Sequence, residues 1–98
     1  MSKIPPDKQF WDVADSFIGL ANKHCADTDR GKVSAALLFA AARFNAFVSA
    51  AAATDATAFR QDREKAIEYF TAEFTKMLSA NLDDWAKHFE KYMRDAGA

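Results

Sequence analysis

Between Val33 and Thr54 the chain carries one charged side chain, Arg43, and neither glycine nor proline interrupts it. A breaker-free, alanine-rich run of this kind is predicted to be a helix from about Arg30 to Ala53. Apolar residues occur around most of its circumference, so it needs cover on more than one side. Lipid or protein can supply that cover. Arg43 near the centre of a bilayer would cost about 2.5–3.5 kcal/mol on the insertion scale, and Ser34, Asn45, Ser49 and the weakly hydrophobic alanines subtract further. No aromatic anchors flank the run. The expectation is therefore no membrane span, but the most buried helix of a soluble protein.

On a helical wheel this segment has three faces. Val33, Leu37, Phe44 and Val48 lead the principal core stripe; Phe39, Arg43 and Phe47 mark a second; Ser34, Leu38, Ala42, Asn45 and Ser49 mark a third, made mostly of small side chains that admit another helix closely. Arg43 stands one turn from both Phe39 and Phe47, which places its guanidinium between two rings, and if buried it must find a carboxylate. One reading is structural, with Asp15 or Glu68 as partner. The other makes Phe39, Arg43 and Phe47 an interaction surface.

The remaining chain supports an all-α fold. Glycine occurs at 19, 31 and 97, and both prolines precede residue 7. No alternating run bounded by turn residues suggests a strand. A first helix is predicted over about 5–25, opened by Pro5 and Pro6, with Phe10, Ala14, Phe17, Ile18, Ala21 and Cys25 on one side. A third is predicted over about 55–79, capped by Thr54 or Asp55, with Phe59, Ile67, Phe70, Phe74 and Leu78 inward. Arg60 with Glu64 and Glu73 with Lys76 are surface pairs contributing about 0.2–0.5 kcal/mol each. Asn81 is a good N-cap, favouring a fourth helix over about 81–95, although Leu82, Trp85 and Phe89 continue the preceding stripe without a phase jump. The expectation is a compact four-helix bundle-like domain spanning residues 1–98, with residues 1–4 and 96–98 as disordered ends.

Charge and chemistry narrow the function. Thirteen basic side chains against fourteen acidic ones leave no cationic face to displace counterions from phosphates, which argues against nucleic acid. A lone cysteine, Cys25, cannot form an internal disulfide, and the N-terminal residues lack the apolar core of a secretory signal, so a cytoplasmic location is expected. His24 and Cys25 diverge around the helix; Asp84 and His88 share a face but offer two ligands, short of a metal site. No phosphate loop, nucleophile elbow or linked Ser/His/Asp set is present, so neither a catalytic residue nor a cofactor is predicted.

Four segments, Phe10–Ile18, Arg30–Leu38, Ala42–Phe47 and Glu68–Phe70, resemble a small, mostly proteobacterial family of all-helical domains of unknown function. The resemblance runs from about Gln9 to Trp85, with Arg30–Phe47 its most specific stretch. It implies a bacterial source and a helical fold, and brings no activity with it.

These readings converge on a non-enzymatic helical protein that acts by association, with a second copy of itself or another protein. The surface residues expected to carry it are Phe39, Arg43 and Phe47, followed by Trp85 and Phe89, because a domain this small cannot easily bury nine phenylalanines. An alternative is a ligand-binding bundle with an apolar pocket of Phe44, Phe70 and Phe74, in which Arg43 orients an anionic group. A third is adsorption to a surface through the fourth helix, whose polar face has mixed charge.

Overall fold

The structure is a computed structural model that describes residues 6–96. The described residues form five helices and no strand, which places the chain in the expected all-α, bundle-like class. Residues 1–4 of the expected disordered ends lie outside the described residues, as do 97 and 98; Ala96 instead closes the last helix. The chain divides into two units, Met1–Val48 and Ser49–Ala98.

In the first unit, α1 spans Lys8–His24. It starts later than the prolines suggested, because Asp7 takes the N-cap position: its carboxylate accepts the Phe10 N–H at 2.8 Å, satisfying an otherwise orphaned donor. Lys23 and His24 occupy the last turn, where positive charge complements the helix dipole. After the turn, α2 runs over Arg30–Ala52, its residues from Ser49 onward counted with the second unit. Asp29 opens it by accepting the Lys32 N–H at 3.2 Å. Gly31 leaves room for that carboxylate, since a Cβ there would stand 3.1 Å from Asp29 Oδ2.

In the second unit the expected third helix is split. Asp55 caps α3, Ala56–Gln61, by accepting the Ala58 N–H at 2.8 Å. Asp62, with ψ near zero, interrupts the helix before α4, Arg63–Lys87. The break separates Arg60 from Glu64, which pairs with Arg63 instead; Glu73 and Lys76 do pair, at 3.3 Å.

The expected boundary at residues 79–81 is corrected: α4 passes through it without interruption. Asn81 does not cap a new helix. Its amide donates back to the Met77 carbonyl at 2.7 Å, as a mid-helix side chain does, and the apolar stripe continues through Leu82 to Trp85. The chain breaks at His88, and α5 covers Phe89–Ala96 in place of the expected 81–95.

Burial is slight throughout the described residues. Val33 is the single buried apolar residue among those described, and it lies on α2, but Phe39, Phe44 and Phe47 on the same helix are about two-thirds exposed. Helix packing runs between sequence neighbours, α3 with α4 and α4 with α5; within the first unit α1 does not lie along α2.

Candidate interaction surface

The α-helical repeat places Phe39, Arg43 and Phe47 one above another on α2, as their four-residue spacing requires. Both rings are exposed. The Phe47 ring does not sandwich Arg43; it tilts against Phe44, with centroids 6.0 Å apart. Arg43 has no ion-pair partner among the described residues. A guanidinium amid uncovered phenylalanines is compatible with water, and any surface that covers the rings must also supply an anion.

The other two candidates, Trp85 and Phe89, flank the α4–α5 break. Trp85 packs edge-on against Tyr92 at 4.9 Å, while Phe89 remains exposed. The Tyr92 hydroxyl donates to Asp84 Oδ2 at 3.0 Å, and His88 Nδ1 lies 3.3 Å from Asp84 Oδ1. Asp84, Trp85, His88 and Tyr92 therefore clasp α5 onto the last turn of α4. The hydrogen bond to Asp84 pushes Tyr92 ionisation above its ordinary value, with burial and the negative charge of Asp84 adding to it. Half of this clasp was readable as the i,i+4 pair of Asp84 and His88; Tyr92 continues the same spacing.

The apolar side of α1 is also exposed. Phe10, Trp11, Phe17, Ile18 and Leu20 are all exposed, with Phe10 and Trp11 in edge-to-face contact at 4.9 Å. A shallow concavity along α1 is lined by Asp7, Gln9, Phe10, Val13, Ala14 and Phe17; Phe44, Phe70 and Phe74 do not contribute to it. Among the described residues no three His, Cys, Asp or Glu side chains gather as metal ligands would. By length and composition α2 is apolar enough to cross a membrane.

The surface is rich in aromatic rings: every phenylalanine except Phe70 is exposed, as are Trp11 and Trp85.

A comparison with curated proteins found no match. Among solved structures, the chain is similar to the NMR structure of the protein NB7890A from Shewanella sp., with 26% sequence identity and a TM-score of 0.73 over 92% of this chain and 96% of that one. The profile of a family described as protein of unknown function (DUF3144) matches residues 10–86, within one residue at either end of the stretch that the sequence resemblance marked out. On that match the chain belongs to the DUF3144 family.

Proposed function

We propose that this chain is a soluble, non-enzymatic, cytoplasmic protein that acts by association, and that its first partner is a second copy of itself. The observation carrying this reading is the uncovered apolar area. Eight of the nine phenylalanines are exposed, together with Trp11, Ile18, Leu38 and Leu82, and apolar surface on this scale marks an association site. Isolated helices are marginal in water, so α1, α2 and α4 gain most of their stability when their apolar faces are covered. In this reading residues 1–98 become one cooperatively folded domain on association, and Phe39, Arg43, Phe47, Trp85 and Phe89 lie within the covered surface.

Protein is favoured over lipid as the cover for α2 by Arg43, which lies at the middle of the run with Asn45 two residues on. A bilayer offers neither group a partner, whereas a protein surface offers carboxylates and amides.

Sedimentation equilibrium of the full chain across a wide concentration range, without detergent, tests the proposal. A dimer or higher species with a measurable dissociation constant is expected. A monomer at every concentration with full helicity would overturn it, as would a chain that stays with vesicles in flotation and needs detergent for solubility.

A further inference from the structure

We infer that α2 of one copy is covered by α4 of the second, and that Arg43 and Glu73 form the ion pair across that contact. This inference rests on the self-association proposed above and assigns its faces. Electrostatics excludes the simplest alternative. α2 holds no carboxylate, so two α2 helices meeting at their midpoints would bring two Arg43 side chains together without an anion. The surface that covers Arg43 must be both apolar and acidic.

The carboxylates can be sorted by face. Asp12 and Asp15 lie on the polar side of α1, and Asp12 is already bonded to Lys8 at 2.7 Å. Glu64, Glu68 and Asp83 lie on the outer side of α4 or at its edge. Glu73 and Asp84 lie on one flank of the apolar stripe of α4, as Glu64 lies on the other, and Glu73 is the better covered, its side chain 32% exposed against 76% for Glu64. Asp84 is occupied by Tyr92 and His88. Glu73 stands one turn from Tyr69, Phe70 and Met77 along the helix and is half-buried. Its one ion-pair partner among the described residues is Lys76, at 3.3 Å, whose side chain is exposed.

Helix lengths select the same residue. Arg43 lies at the middle of the run Val33–Ala53, ten residues from either end. With Arg43 opposite Glu73, the run spans residues 63 to 83 of the facing helix in either direction, inside Arg63–Lys87. With Arg43 opposite Asp84 it would reach residue 94, past the break at His88. The Glu73 register alone lays the whole charge-free run on continuous helix.

Mixing two charge-reversal variants tests this. Arg43→Glu and Glu73→Lys each place like charges at both contacts of a two-fold dimer, and each is expected to weaken self-association on the order of tenfold or more. When the two chains are mixed, both contacts carry opposite charges, so native mass spectrometry is expected to show heterodimer well above the statistical half. Glu73→Gln, which removes the attraction without adding a charge, is expected to weaken association less, and circular dichroism checks that each variant keeps its helices. Statistical mixing, or single variants that associate as tightly as the parent, would overturn the Arg43–Glu73 pairing while leaving self-association standing. A parent chain that never dimerises would overturn both.

Discussion

Replacing Phe47 by alanine separates a ring that merely rests on the surface from one that awaits cover. In the single chain Phe47 is 63% exposed. Burying a whole phenylalanine side chain is worth about 1.5–3 kcal/mol, so covering the exposed part is worth about 1–2 kcal/mol. A two-fold dimer carries the residue twice, and the loss becomes about 2–4 kcal/mol per dimer, a rise in dissociation constant of roughly 30-fold to 900-fold. The effect on α2 itself runs the other way, because alanine is the better helix former. Sedimentation equilibrium on parent and variant reads the dissociation constant, with far-UV circular dichroism at matched concentration as the control on folding. Lys8→Ala is the reference substitution, since that side chain is 89% exposed on the polar side of α1 and its removal is expected to change nothing. A Phe47→Ala chain that keeps its helices and shifts the dissociation constant less than about threefold would refute the reasoning, because a ring covered by a partner cannot be lost so cheaply.

Three further outcomes follow from local geometry. Tyr92 ionises above the ordinary tyrosine value of 10.0, chiefly because its hydroxyl donates to Asp84. A value raised by folding stabilises the clasp fully below pH 10.0, and that contribution disappears as pH rises through the raised value. In a Tyr69→Phe background, phenolate absorbance is expected to titrate high for Tyr92 and to fall back in Asp84→Asn; an unchanged midpoint would contradict the hydrogen bond. Gly19→Ala meets nothing within 4 Å and should stabilise α1 by about 0.4–1 kcal/mol, whereas Gly31→Ala crowds the capping carboxylate of Asp29 and should gain less or lose, as paired thermal melts would reveal. Asn81→Ala should preserve or slightly raise helicity, since the amide is a mid-helix side chain; a loss near the ~1 kcal/mol typical of a removed cap would show that a helix begins there.

The sequence made local choices legible wherever a short-range interaction decided them. Asp55 was readable as a cap because a carboxylate three residues ahead of a free amide has one geometry to adopt, and the run from Arg30 was readable because nothing in it breaks a helix. Asn81 misled for a related reason. As a residue type it suits an N-cap, yet the apolar stripe running past it outweighs that preference, and the break moved to His88, where the clasp of Asp84, Trp85 and Tyr92 holds the following turn. The Arg60–Glu64 pair failed because a turn at Asp62, which the wheel does not register, put its members on different helices.

Phe39 and Phe47, placed by periodicity on one face of α2, are exposed, and so are Phe10, Phe17 and Ile18 on one side of α1. A wheel shows which side of a helix avoids water, since that depends on 3.6 residues per turn and on nothing distant. It does not show what covers that side, because cover comes from groups far along the chain or on another chain. The amino-acid order by itself thus determined that the chain is helical, where α2 and α3 start, and that the run from Val33 to Ala53 carries a single charge. Only the tertiary structure decided that the helix runs unbroken past Asn81 and stops at His88, where Tyr92 folds back onto Asp84 and Trp85, because such packing depends on contacts beyond the helical repeat that local periodicity does not encode.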